Sequence, residues 1–314
     1  MLSGVPQSFS ADTASLYPNK PIRMIVPYPP GGGADFIGRA VARKLGETLK
    51  QSVVVDNRGG AATAIGAELA ARSPADGYTI LVATVTTLAV NPNLNPKLAY
   101  DVERDFEPIS LLASQPQVLV AHPALHVKTL KELIALAKAQ PGTLNFASPG
   151  IGSGGHLAGE LLKSMANIDI VHVGYRGAGP ALSDLLGGQV SIMFVTMSTA
   201  QPQVNAGKLV ALAVSTMKRS SAMPTIPTVA EAGIAGYAMR SWNGLMAPRG
   251  TPKAIVQTLN TAIVAALTDA KFAGELIHVG FDPEPSSPAD FATFIRQELA
   301  LHAKVIKAAG LKTH

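Results

Sequence analysis

The stretch YPNKPIRMIVPYPPGGGADFIGRAVARKL, Tyr17 to Leu45, decides the fold class. Ile22, Met24 and Val26 recur at every second position, as in a strand, until Pro27 ends the run. Phe36, Ile37, Ala40, Val41 and Leu45 then recur at helical spacing, so the Gly31-Gly32-Gly33 turn joins a strand to a helix. The same arrangement returns at Gly59-Gly60 in NRGGAAT, after a short strand Val53 to Val55 that ends at Asp56. It returns again at Gly150 to Gly155 in GIGSGGH, after a strand Leu144 to Ala147. Repeated strand, glycine turn and helix argue a parallel α/β architecture, in which such turns lie at the carboxyl edge of the sheet, where ligands bind. A helix's first turn has N–H groups without partners and the positive end of the dipole, so a glycine turn leading into it favours carboxylate or phosphate. Any one glycine could equally serve only a left-handed turn or close packing. Sheet-edge position selects the first and third turns as ligand contacts.

The chain has 314 residues, enough for about two domains with real cores. Charged residues are 15% of the chain and apolar ones 47%, and no uninterrupted apolar run approaches the roughly 18 residues of a membrane span. The net charge of +5 comes from scattered basic residues without aromatic clusters, which argues against nucleic acid and suits an acidic ligand. With no cysteine there is no disulfide framework, thiol nucleophile or thiolate metal site, and either redox compartment remains open. The opening MLSGVPQSFSADTASLYPNKP lacks a basic start and a long apolar core. It therefore reads as a polar lead-in whose secretory signal has been removed.

Further along, the pattern predicts a helix from Ala61 to Ala71 and a strand from Tyr78 to Thr84. Two β-like runs, Ile109 to Ala113 and Gln117 to Ala121, are separated by Pro116 and read as a crossover between domains. Thr129 and Glu132 form a capping box for a helix ending near Pro141. Strands Ile168 to Val173, Val190 to Val195 and Leu209 to Val214 follow, with helices around Pro180 to Leu186 and Pro202 to Ala206. Tyr237 to Met246 returns to the first domain, and the tail is helical, with starts at Thr251-Pro252 and Ser287-Pro288. Domain 1 is then 1–120 with 237–314, and domain 2 is 121–236.

Motifs for chemistry fail one by one. Gly150, Gly152 and Gly155 fit G-x-G-x-x-G, but Asp169 stands at the start of its strand, and Tyr175 and Arg176 occupy the end where a ribose-binding acid belongs. Only NADP would be compatible with Arg176, which otherwise lies either on the surface or in a cleft. Ser148 and Ser153 have Phe146 and Ile151 where a nucleophile elbow needs glycine. Gly33 to Gly38 has phosphate-loop span, yet Arg39-Ala40 replaces Lys-Ser/Thr. His122 and His126 are separated by Pro123 among others, and no H-E-x-x-H occurs. Catalysis, cofactor and metal are therefore not expected. Asp35 reads as a helix cap or dipole partner, His156 as a first-turn residue satisfied by backbone, and Trp242 as domain packing.

Five ordered motifs carry a resemblance: the Tyr17–Leu45 stretch, DGYTILVAT with NPNL after it, NFASPGIGSGGHLAGELL, GYRGAGPALSDLLGGQV and MPTIPTVAEAGIAGY. From about Tyr17 onward the chain resembles the Bug-type periplasmic solute receptors of tripartite tricarboxylate transporters. The resemblance implies a type II periplasmic-binding-protein fold, with two α/β domains and a ligand carboxylate held in the cleft between them. Its ligand-binding candidates are Tyr28, Pro30, Gly32, Gly33, Ala34 and Asp35 in the first turn and Thr84, Thr86 and Thr87 after the third strand. Ser148, Gly152, Ser153, Gly154, Gly155 and His156 form the facing turn, with Arg176, Val195 and Thr196 as further walls. Val195 departs from the acidic residue many members place after Met-Phe, so a carboxylate without an ammonium group is expected rather than an amino acid.

The implied mechanism is capture without chemistry, by closure about a hinge near Ala121 and Tyr237, in a monomeric periplasmic protein whose partners are membrane permease subunits. A sensor delivering to a membrane kinase, and an NADP enzyme using the GIGSGG turn, are the alternatives.

Overall fold

The computed structural model describes residues 17–175, 177–220, 222–308 and 310; most of the N-terminal lead-in lies outside them. Its first unit is β1 (Ile22–Val26), α1 (Gly33–Leu49), β2 (Val53–Asn57), α2 (Ala64–Ala71) and β3 (Thr79–Thr84), with β1 parallel to both β2 and β3. α1 forms because Ile37, Val41 and Leu45 line one face and are wholly or almost wholly buried, each side chain contributing about 1.5–3 kcal/mol. Gly38 is required there, since a Cβ would sit 2.9 Å from Val26 Cγ2 on β1. The region expected as one helix from Ala61 opens as a 3₁₀ turn whose Ala61, Ala62 and Thr63 have φ of 45°, 49° and 81°, before α2 begins. A π-helical turn (Thr86–Val90), α3 (Asn91–Leu94) and α4 (Val102–Asp105) follow β3.

The expected break at Pro116 is absent: β4 is one strand, Phe106–Ala121. Its first part pairs antiparallel with β9 (Arg240–Pro248), up to Pro116 opposite Arg240, where β9 begins. From Gln117 onward it pairs antiparallel with β7 (Ile192–Thr196) and with β8 (Val210–Val214). Pro116 therefore stands where the strand changes partners, a ladder end that tolerates a residue without an N–H donor. Ser215 Oγ accepts the next N–H, from Gln117, at 3.0 Å.

The second unit holds α5 (Leu130–Ala139), β5 (Asn145–Ser148), α6 (Gly154–Ala166), β6 (Val171–Gly174), α7 (Ala178–Leu186), β7, α8 (Met197–Asn205) and β8, with β5 parallel to β6 and β7. Thr129 Oγ1 accepts from Glu132 N at 3.2 Å, as the capping box predicts. β6 starts later than expected, at Val171. The chain returns through β9 to α9 (Lys253–Thr268), α10 (Ala270–His278), β10 (Asp282–Pro283) and α11 (Pro288–Ala308). α10 was not expected as a separate helix; Asp269 leaves helical geometry at ψ 121° and its carboxylate caps Phe272 N at 2.9 Å. The sheet order β2-β1-β3-β9-β4-β7-β5-β6, with β10 and β8 also on β4, makes two α/β lobes sharing one long strand. This is the type II periplasmic-binding arrangement. Separate cores fill the lobes: Met24, Ile37, Ile80 and Ile263 in the first, Val118, Leu185 and Met193 in the second. A third cluster, including Phe146, Tyr237, Trp242 and Phe291, runs across the strands between them.

Candidate functional site

The first glycine turn closes on itself through Asp35. Its Oδ2 accepts from Gly31 N at 2.9 Å, its Oδ1 from Asn57 Nδ2 at 2.9 Å, and Arg39 pairs with it at 3.0 Å. Burial alone would raise this carboxyl, but the hydrogen bonds from Arg39, Gly31 and Asn57 together hold it below its ordinary value. The Asp35 carboxylate is thus engaged by Gly31, Asn57 and Arg39 and not by the first N–H groups of α1. α1 has no side-chain cap at Gly32, and its first backbone bond is Phe36 N to Gly32 O. The N–H groups of Gly33, Ala34 and Asp35 have no acceptor among the described residues.

The facing turn is built differently. Ser153 caps α6 by accepting from His156 N at 3.3 Å, and Gly152 N donates to His156 Nδ1 at 3.0 Å. His156 is 2% exposed and stacks on His172, with ring centroids 3.9 Å apart, while His172 Nε2 meets Ser148 Oγ at 2.7 Å. Burial, then the neighbouring His172 and Lys163, push His156 down to about 4, so it is a neutral acceptor at pH 7. Burial and Lys163 also lower His172. Ser148 and His156 hold the turn and Ser153 Oγ accepts the cap bond with its hydroxyl proton still available to donate, while the Gly154 and Gly155 N–H groups have no acceptor among the described residues.

Both helix ends converge on the same two strands. A Cβ on Gly33 would lie 3.0 Å from Gln115 Oε1, and one on Gly154 would lie 2.8 Å from Ser241 Oγ and 3.1 Å from Gln117 Nε2. Gln115 and Ser241 are opposite each other in the β4–β9 ladder, so Gln115, Gln117, Ser241 and Asn243 share one face. Gln115, Gln117 and Asn243 are buried, and together these residues form a neutral amide and hydroxyl floor between the two turns. The lobes also touch on its flanks: a Cβ on Gly152 would be 3.2 Å from Leu94 Cδ1, and one on Gly280 would be 2.8 Å from Met197 Cβ.

Pro30, Gly32, Ala34, Gly152 and Gly155 thus belong to the converging turns. Thr84 and Thr87 are buried in a hydrogen-bond network: Thr84 Oγ1 meets Tyr28 OH at 3.2 Å and Thr87 Oγ1 at 3.2 Å, and Thr87 Oγ1 donates to Thr63 at 3.0 Å. Thr86 is partly exposed at the start of the π-helical turn, and burial raises the Tyr28 hydroxyl above its ordinary value. Val195 is buried opposite Val118, and Thr196 opens α8 with its Oγ1 3.0 Å from Thr199 Oγ1. Arg176 lies outside the described residues. The floor residues were missed in the sequence; the available signal was polar residues at alternate positions, Gln115 with Gln117 and Ser241 with Asn243, in otherwise apolar strands.

A hollow of about 570 Å³ lies on the opposite face of the same strands, lined in part by Ser114, Met217, Arg219, Arg240 and Glu284. Its lining sets the basic Lys218, Arg219 and Arg240 against the acidic Asp282, Glu284 and Glu298, with Arg240 paired to Glu284 at 2.7 Å and Arg219 to Glu231 at 2.8 Å. The charges in that lining balance by sign, whereas the helix-end N–H groups across the strands present only the positive end of a dipole.

Residues 37–311 match the tripartite tricarboxylate transporter family receptor. Protein BugT of Bordetella pertussis is 39% identical over 99% of this chain and 94% of its own length. A solved structure of R. palustris Rpa4515 with adipate is 36% identical, covers 94% of this chain and 99% of that one, and superposes with a TM-score of 0.87. The periplasmic binding protein BugD is 33% identical, with coverage of 95% and 100% and a TM-score of 0.82. These relatives are solute-binding receptors rather than enzymes, which removes the NADP alternative. The chain belongs to the receptor family of tripartite tricarboxylate transporters, in its Bug-type branch.

Proposed function

We propose that this protein captures a small carboxylate lacking an ammonium group between its lobes and delivers it to the membrane permease subunits of a tripartite tricarboxylate transporter. The observation that carries this reading is the convergence of two helix first turns with free N–H groups on a neutral polar floor. Each helix-end contact contributes about 0.3–1 kcal/mol, up to ~2 when partly buried. Micromolar binding, about −8 kcal/mol, therefore needs both ends and apolar contact as well. The adipate in a similar structure supports a dicarboxylate, and Val195 supports a ligand without an amino group.

In this reading the backbone of Gly33, Ala34, Asp35, Gly154 and Gly155 binds the anion. Tyr28, Pro30, Gly32, Thr86, Gly152, Val195, Thr196 and Arg176 wall the cleft, while Thr84, Thr87, Ser148, Ser153 and His156 support it. Domain 1 is 1–120 with 237–314 and domain 2 is 121–236. The hinge near Ala121 and Tyr237 is supported by the nearby change of partner of β4 at Pro116-Gln117 and by the start of β9 at Arg240, which shift the boundaries by a few residues. The receptor acts as a periplasmic monomer.

A thermal-shift screen with adipate, malate, citrate, phthalate and glutamate tests this. Ligand at 100 times its dissociation constant adds about 2.7 kcal/mol of stability. A selective rise with one or more non-amino acids is the expected result; a rise with glutamate alone, or with none of the five, overturns it.

A further inference from the structure

The two floor glutamines differ in a way that folding alone does not require. Gln117 Nε2 donates to Ser241 Oγ at 2.8 Å. Gln115, two residues earlier on the same face and 4% exposed, leaves its Nε2 enclosed and without a hydrogen-bond partner among the described residues. A buried amide donor without an acceptor destabilises the fold, and an apolar residue of similar shape would remove that cost. Uncompensated polar groups of this kind concentrate where function needs them.

What lies beside this amide indicates its use. Gln115 Oε1 is 3.0 Å from the position of a Cβ on Gly33, so the amide abuts the first turn of α1, the 17-residue helix with no side-chain cap. Gly31 N is taken by Asp35, while the Gly33, Ala34 and Asp35 N–H groups have no acceptor among the described residues. The last torsion of glutamine is broad and nearly two-fold, so a half-turn exchanges the amide's ends and brings Nε2 to the helix end.

We propose that Gln115 is a ligand-binding residue whose side-chain amide donates to the carboxylate oxygen seated on the α1 N-terminus. This rests on the receptor reading above and adds a specificity element to it. A carboxylate satisfies the amide and the helix end at once, whereas an analogue without oxygen there leaves Gln115 unpaired again. A second acidic group in its place would repel the same ligand.

The test is isothermal titration of wild type, Gln115→Leu and Gln115→Glu with whichever of adipate, malate, citrate and phthalate the wild type binds, alongside melting temperatures without acid. Gln115→Leu is expected to weaken that acid by about tenfold or more, one charge-assisted hydrogen bond. Its acid-free melting temperature is expected to equal or exceed wild type. Gln115→Glu is expected to weaken the acid more than Gln115→Leu does. Binding by Gln115→Leu within twofold of wild type overturns the proposal, and so does a loss of affinity accompanied by a lower melting temperature, which marks a structural role. A wild-type protein that binds none of the four acids overturns the receptor reading itself, and this inference with it.

Discussion

The two helix ends that face each other across the strands are built to different degrees of completion. At α6, Ser153 caps the helix, His156 holds Gly152, and Gln117 is bonded to Ser241, so the turn is set before anything binds. At α1 there is no side-chain cap, and the Gln115 Nε2 has no hydrogen-bond partner among the described residues. Asp35 is the exception, since its buried carboxylate locks the turn's shape through Gly31 N, Asn57 and Arg39. The difference teaches that one wall of a carboxylate site can be rigid scaffold while the other carries unmet hydrogen-bonding capacity for the ligand to fill.

The comparison breaks most easily at its rigid side. Gly154→Val places branched carbons where even a Cβ would be 2.8 Å from Ser241 Oγ and 3.1 Å from Gln117 Nε2, and it covers the free N–H groups. Affinity for a dicarboxylate should fall by about a hundredfold or more, which is about 2.7 kcal/mol, and the melting temperature should fall as well because Ser241 and Gln117 must shift. Titration calorimetry checks this, and equal affinity would remove α6 from the site.

Acid sharpens the same contrast. His156 is depressed from 6.5 to about 4 in the folded protein, so between those values the unfolded chain binds the extra proton. Its contribution to stability is therefore complete above pH 6.5 and is lost as pH falls towards 4, at roughly 1.4 kcal/mol per unit, or about 2 kcal/mol by pH 5. Denaturant unfolding of wild type and His156→Gln from pH 7 to 5 should show a steeper loss for wild type. Parallel slopes would mean that His156 does not carry the loss.

On the α1 side the expected effects are smaller. A Cβ on Gly33 meets the movable end of Gln115 at 3.0 Å and Phe281 at 3.6 Å, so Gly33→Val should cost about tenfold in affinity, or about 1.4 kcal/mol. A Gly33→Val loss greater than that of Gly154→Val would reverse the assignment of rigid and adaptable sides. Smallest is Ser153→Ala, which removes a cap and should lower stability by about 1 kcal/mol in urea unfolding, with little change in affinity once folded.

The glycine turns were legible in the sequence because their signal is local: an alternating strand, glycines, then helical spacing. The role of Asp35 as a structural partner rather than a base was readable for the same reason. β4 was not, because Pro116 looks like a break until the change of partner at that residue is known. α10 was hidden because Asp269 caps inside an apolar pattern that continues across it. The floor was the least legible part. Gln115 and Ser241 are brought together only by ladder register across the whole second lobe, which no window of sequence contains.

The most direct measurement is a crystal structure of the protein with the dicarboxylate it binds best. The account predicts a carboxylate between the lobes, within hydrogen-bond distance of N–H groups at Gly33–Asp35 and at Gly154 or Gly155. A carboxylate seated instead in the hollow beside Arg219 and Arg240, on the far face of the strands, would contradict it.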